Sequence, residues 1–403
     1  MDVILSLNWN SAYNSVRGVI VHLGAAWKQM GLEMVEIDLS TPGWNDQLRD
    51  LLNTRRVRFV VSTAGIGLNI GMDGENLWAK LRLPVYALHI DHPIYYGAHH
   101  RSQPKTVVMG YIFRDHALYQ ASDVKADNIV TTIDYGIPDL PVPSMKEIKA
   151  QGRPRIVFAK TGNSPEILAN MWRGAPQLER ILHDVMDELA LSTKGNVFVA
   201  DIHPLVKRVA AAHRIDLQPF DLLSRFLIAQ IDDYSRRLKS TTMAKAILPF
   251  EVDVFGGAWD HIDTTNAKAR FHGPSEYTVV ENSLSGATAS LTMHPNTDLG
   301  AHERFFLALG AGSMPVTDRN AYIEQAFPEL LPYTFDFTPG SVSAALERVI
   351  ENPETALELA RATRERARPV YGMEQTAAKI VEIMQSAAFL FATPKPEQNF
   401  FVP

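Results

Sequence analysis

The sequence predicts an α/β protein of two Rossmann-like, doubly wound domains, the second with a helical insertion, and three observations lead there. The chain has 403 residues, more than one hydrophobic core usually serves. Short β-compatible runs alternate with amphipathic stretches in both halves, the pattern of parallel sheets joined by crossover helices. A break in composition at 136–154 separates the halves, where Pro138, Pro141, Pro143 and Pro154 can continue neither a helix nor a central strand.

Val3 to Leu7 reads as the first strand. Val16 to Met30 has the apolar spacing of a helix that Gly31 would stop, and Met34 to Asp38 reads as a second strand. Arg58 to Ser62 is a further strand running into a loop with Gly65 and Gly67, where backbone can approach a ligand closely. Pro84 to Ile90 ends in Asp91-His92-Pro93, and Asn128 to Thr132 is the last strand expected in this half. Binding residues of such a sheet lie just past the carboxyl ends of its strands, which puts Asn10 and Ser11 after the first strand beside Gly65 and Gly67.

The second half opens with a strand at Arg155 to Ala159 and a loop beginning at Lys160. From about Pro165 to Lys245 the pattern is helical, with Leu178, Ile181, Leu182 and Val185 on one stripe and Leu222, Phe226, Ile228 and Ile231 on another. Val252 to Phe255 is a strand; Trp259 and His272 follow the next two strand-loop units. Ala289 to Met293 then reads as a strand ending in His294-Pro295-Asn296, followed by a helix from about Ala301 to Leu309, a Gly310-Ala311-Gly312 turn and a strand at Met314 to Thr317. A helix entered from the strand side offers unpaired N–H groups and a positive dipole end to an anion, with His302, Glu303 and Arg304 at its start. Helices near Val342 to Ile350, Pro353 to Arg368 and Glu374 to Gln385 close the chain.

Composition sets further bounds. A 46% hydrophobic and 21% charged chain is ordinary for a globular protein, and no window is apolar for the length of a membrane span. The chain enters a strand with no basic leader, and it has no cysteine; a cytoplasmic protein without signal peptide, disulfide or thiolate metal site is expected, free or peripheral to the inner membrane. A net charge of −6 without a clustered basic block argues against nucleic acid as partner. The segment from His89 to His100 gathers four histidines, yet no spacing in it fixes a set of metal ligands, and no metal is expected there. Gly65-x-Gly67 and Gly310-x-Gly312 do not complete a dinucleotide fingerprint, which disfavours a dehydrogenase.

The string HERFFLALGAGSMPVTD (302–318) resembles the donor-binding signature of GT-B glycosyltransferases, in particular the CgeB-like spore-maturation type. VDVFGGAWD (252–260) and ARFHGPSEY (269–277) resemble the two preceding strand-loop units, in family order; RFVVSTAGIGLNI and PVYALHIDHPIYY resemble the acceptor-side domain more distantly. The resemblance implies two domains facing a central cleft: residues 1–140 on the acceptor side, a linker at 141–154, a nucleotide-sugar domain at 155–372 with the helical insertion at about 165–245, and a C-terminal helix and tail at 373–403 returning to the first domain. It implies a nucleotide-sugar donor, with a saccharide or protein hydroxyl as acceptor, and no cofactor. The chain has no Asp-x-Asp pair with which to grip a divalent ion, in keeping with metal-independent transfer that neutralises the leaving diphosphate with N–H groups and basic side chains.

On this reading Lys160, His272, His294, Asn296, His302, Glu303, Arg304 and Gly312 bind donor, Asp91 or His92 takes the acceptor's proton, and Asn10, Ser11, Gly65 and Gly67 line the acceptor side. Each has a plainer alternative: a solvated lysine, a helix-favoured Glu303, a capping His294, an Asp-His turn before a proline. Leu307 stands where many retaining relatives carry a second glutamate, so the stereochemical outcome stays open. A sugar-nucleotide epimerase on the same fold, or a non-catalytic binding protein of spore, flagellar or envelope assembly, are the other functions considered.

Overall fold

The computed structural model describes residues 2–10, 15–101, 103–192, 202–392 and 401–402. The chain divides into two compact units, one of 1–138 with 368–403 and one of 139–367.

In the first unit the strands are β1 (Asp2–Asn8), β2 (Glu33–Asp38), β3 (Arg56–Thr63), a small hairpin of β4 (Gly71–Met72) and β5 (Glu75–Asn76), β6 (Val85–His89), β7 (Val107–Tyr111) and β8 (Ile129–Thr132). Among the described residues the main sheet runs β15-β8-β7-β6-β3-β1-β2, all neighbours parallel, where β15 is Phe401–Val402. The central strands β6 and β7 are buried at every position, as strands covered on both faces are. Strand β7 contains Gly110 because no side chain fits: a Cβ there would lie 2.1 Å from the Tyr86 hydroxyl. Val3, Leu5, Leu7, Val60, Val85, Ala87, Val107 and Met109 build the core on one face, closed by Leu77 and Trp78. On the other, Trp27 of the Ser15–Gln29 helix meets Phe59 edge to face, and its indole N–H donates to the Ala377 carbonyl of the Met373–Ala392 helix at 3.0 Å.

The second unit has β9 (Ile156–Ala159), β10 (Val252–Phe255), β11 (Arg270–Phe271), β12 (Ala289–Leu291), β13 (Met314–Asp318) and β14 (Thr334–Phe335). These form a parallel sheet in the order β11-β10-β9-β12-β13-β14. In chain order this is 3-2-1-4-5-6, so the direction of winding reverses between β9 and β12, and the crevice past their carboxyl ends is where such sheets take ligands. The proline-rich stretch is counted with this unit and is not purely a linker: Ser144 and Glu147 form a reciprocal capping box on a short helix, Met145–Lys149.

Between β9 and β10 the described helices are Pro165–Met171, Pro176–Ser192, His203–Ala212 and Leu222–Ile247. The expected apolar stripe on the last needs correction. Leu222 and Phe226 are exposed, while Leu227, Ile228 and Ile231 are buried. Further along, the buried face turns polar, with Asp232, Ser235 and Lys239 recurring at helical spacing. The helix therefore packs against something charged.

Candidate functional site

The strand β12 ends at Leu291, and the segment 292–302 that follows lies over the winding reversal. It leads into the Glu303–Gly310 helix, whose N-cap is His302: its backbone is extended (φ −67°, ψ 149°) and its Nδ1 accepts the Arg304 amide at 3.3 Å. The helix therefore starts two residues later than the sequence suggested, because His302 caps it rather than joining it.

Beneath this cap lies a connected polar network. The His302 amide donates to His294 Nδ1 at 3.1 Å, so the neutral His294 ring carries its proton on Nε2, 3.2 Å from the Thr317 hydroxyl. The His294 amide donates to Asp318 Oδ1 at 2.7 Å, and Asp318 Oδ2 lies 3.6 Å from the Lys239 ammonium. Asn296 donates from Nδ2 to Asp232 Oδ1 at 2.9 Å and accepts from the Ser235 hydroxyl at 3.2 Å. Thus the buried polar face of the Leu222–Ile247 helix is tied to the ends of β12 and β13. His294 and Asn296, expected to touch donor, are 1% and 8% exposed with their polar atoms engaged by the protein; they hold the loop in place.

Above the network, positive charge converges. Burial holds His302 well below the ordinary imidazole range, and the charges of Arg304, His294, Lys160 and Arg236 push the same way. Burial lowers His294 too, with Asp318 opposing, and burial likewise lowers Arg304 and Lys239. Arg304 on the capped helix thus touches the His302 ring, and the fields of Lys160, at the carboxyl end of β9, and Arg236, from the long helix, act on that ring in the same direction. The two histidines under them stay neutral near pH 7. The Arg304 guanidinium lies 3.1 Å from His302 Nε2, and its Nε is buried with no hydrogen-bond partner among the described residues. Arg236 is half-buried, with Asp232 at 3.5 Å. The sequence reading missed Arg236, Lys239, Asp232 and Asp318; the one signal was the i, i+3, i+4, i+7 spacing of polar residues from Asp232 to Lys239, which also describes a solvated face.

Gly312, Trp259 and His272 have structural roles of their own. Gly312 follows the carboxyl end of an eight-residue helix, roughly 12 Å from its anion-facing start at the usual rise, so it cannot touch the same phosphate. Its positive φ of 69° and a would-be Cβ 2.7 Å from Val142 explain the glycine as a turn and packing residue. Trp259 is buried against Gly162 and donates to the Lys160 carbonyl at 3.2 Å, positioning the first loop. His272 stacks on Phe255 and its Nε2 lies 2.8 Å from Asp253, whose carboxyl is held low against the cost of burial by bonds from Arg270 and His272. It sits two strands from the reversal, on the side of β9 that faces away from β12.

In the first unit, Gly65 and Gly67 (φ 79° and 75°) follow β3, and Asn10, exposed, follows β1; the winding of that sheet also reverses between these two strands. Ser11 lies outside the described residues. Asp91 is exposed and accepts from the Tyr96 hydroxyl at 3.1 Å, whereas His92 Nδ1 accepts the Ile94 amide at 3.2 Å and caps a short turn. His89, His100, Tyr96 and Tyr111 pack ring against ring, and burial keeps His89 well below its usual range. Among the described residues, no three His, Cys, Asp or Glu side chains converge as a metal site would need. None of the described helices is long and apolar enough to cross a membrane.

Residues 236–382 match the family model described as "Glycosyl transferase-like". No curated protein matches the chain. Among solved structures, an alpha-glucosyltransferase in complex with UDP and a 13-mer DNA is 8% identical with a TM-score of 0.50, over 96% of this chain and 100% of that one. A DNA-modifying beta-glucosyltransferase, solved with and without uridine diphosphoglucose, is 11% identical at 0.48 over 96% and 100%. WaaG, a glycosyltransferase of lipopolysaccharide biosynthesis, is 9% identical at 0.48 over 95% and 99%. The fold is of the GT-B class, with two parallel α/β domains, and the family match over 236–382 indicates a glycosyltransferase.

Proposed function

We propose that the protein transfers a sugar from a nucleotide-sugar donor, whose diphosphate sits at the start of the Glu303–Gly310 helix, to a hydroxyl of a saccharide or protein, without a metal. The observation carrying this reading is the contact of Arg304 with His302, the N-cap of a helix that starts over the winding reversal of the second sheet, with Lys160 and Arg236 adding positive field there. Such a site offers N–H donors and cationic side chains to an oxyanion, and it favours the charge that grows on a departing diphosphate more than the charge on the bound donor. A carboxylate at Glu303 gains from the helix dipole, and its proposed role is to accept a donor hydroxyl.

In the transfer, the acceptor oxygen bonds to the anomeric carbon as that carbon's bond to the diphosphate oxygen breaks. The acceptor proton passes to a base in the first unit, and the nucleoside diphosphate leaves with the bonding pair. Asp91 is the better candidate of its pair, since its carboxylate is exposed while His92 is committed through Nδ1 to its own turn. The 302–318 string supports a CgeB-like relationship within the broader family.

The test is a thermal-shift screen of sugar nucleotides and nucleoside diphosphates, followed by donor turnover with and without EDTA. A ligand that binds the folded state alone must raise the melting temperature. Stabilisation by a nucleotide, with turnover that survives chelation, is expected; no stabilisation by any of them, or a loss with EDTA restored by a divalent ion, contradicts the reading.

A further inference from the structure

His302 presents two ring nitrogens to two donors of one residue: Nδ1 to the Arg304 amide at 3.3 Å and Nε2 to the Arg304 guanidinium at 3.1 Å. A neutral imidazole has one lone pair for these two contacts, and a protonated one has none. One donor therefore always faces a ring N–H or goes without. The guanidinium Nε is in turn buried without a hydrogen-bond partner among the described residues. Arginine and histidine are held together here without satisfying each other. An anion at the helix start would resolve this, because its oxygens accept from the guanidinium and from the ring alike.

Resting on the donor-site reading above, we propose that His302 is a proton-linked partner of Arg304: it is neutral while the guanidinium leans on it, and it takes up a proton when a nucleoside diphosphate draws the guanidinium onto its phosphates. The groups facing His302 make this the expected direction. Its contacts are Arg304 on its own helix and His294 after β12, and the charges that act on it further include Lys160 after β9 and Arg236 from the long helix, with Glu303 the adjacent acid. His294 is not a competing proton acceptor, since Nδ1 holds the His302 amide and Nε2 faces Thr317. A diphosphate reverses the sign of the local field, so the protonated ring changes from the disfavoured to the favoured form. Linkage then requires that affinity fall as pH rises through the bound-state pKa, by at most about tenfold per pH unit for one proton.

The experiment is titration calorimetry of the full chain with UDP, GDP, ADP, CDP and dTDP, the tightest carried forward at pH 7 in buffers of differing ionisation enthalpy. Wild type is expected to take up a substantial fraction of a proton per nucleotide, with affinity declining from pH 6 to pH 8. His302→Asn keeps an acceptor for the Arg304 amide but cannot titrate, and it should remove both the uptake and its share of the pH slope. Comparing the two proteins cancels the titration of the nucleotide's own terminal phosphate. Uptake that persists in a folded His302→Asn, or no uptake in wild type, overturns the proposal while leaving the donor site standing. If none of the five nucleotides binds, the donor-site reading falls and this inference falls with it.

Discussion

Single residues differ in how much hydrogen-bonding capacity they leave for a ligand. The imidazole of His294 and the amide of Asn296 spend their hydrogen-bonding capacity on the protein, so the polar groups left to meet a ligand in that loop belong to the helix start and the cations above it. In the first unit Asp91 and His92 are adjacent in sequence and different in setting, one exposed and one used as a cap. Replacing a true base lowers turnover by roughly 10²–10⁴-fold with little change in donor affinity. Asp91→Asn is expected to show that loss, and His92→Asn a smaller one. Steady-state kinetics on both variants, alongside donor titration, checks this; normal turnover in Asp91→Asn moves the base elsewhere.

At the scale of elements, the Leu222–Ile247 helix matters most, because its buried polar face fixes the ends of β12 and β13. Lys239 and Asp318 are both under a tenth exposed, so removing one partner leaves a buried charge poorly compensated. Asp318→Asn should destabilise the protein by about 3–5 kcal/mol, whereas an apolar replacement of both residues should cost much less. Urea unfolding of single and double variants decides it; a double variant as unstable as the two singles added together would show that the two residues act independently and not as a pair.

The contrast between helices explains what could be read in advance. The 289–318 segment was legible because strand, loop, cap and helix follow one another locally, and His302 and Arg304 stand together in the chain. Arg236 and Lys239 were not, since more than fifty residues separate them from His294, and a polar stripe on a helix carries no mark of what covers it. Strand β7 was hidden by Gly110, which reads as a breaker until the Tyr86 hydroxyl is seen filling its place. Apolar spacing also overreached at Leu222 and Phe226, which are exposed.

For the whole molecule, three histidines in two units, His89, His294 and His302, are held neutral chiefly by loss of solvation. Each has a folded pKa below its unfolded value of about 6.5, so the unfolded chain binds more protons as pH falls through that value. Stability should therefore decline from about pH 7 to pH 5.5, by up to ~1.4 kcal/mol per pH unit for each histidine. The carboxylates held low, such as Asp253, act in a separate window nearer their own acid range. Melting temperatures across pH 5–8 test this, with His89→Asn expected to flatten the slope; an unchanged melting temperature over that range would contradict it.

The claim on which the rest depends is that the start of the Glu303–Gly310 helix, with its converging cations, holds a diphosphate. Calorimetric titration of the best nucleoside diphosphate and its parent nucleoside, against wild type, Arg304→Ala and Arg236→Met, tests it most directly. Loss of a charged hydrogen bond should weaken diphosphate binding by about 1.5–3 kcal/mol in Arg304→Ala, with a similar or smaller loss in Arg236→Met, while the nucleoside is nearly unaffected. Equal losses for diphosphate and nucleoside, or no loss in either variant, would contradict the account.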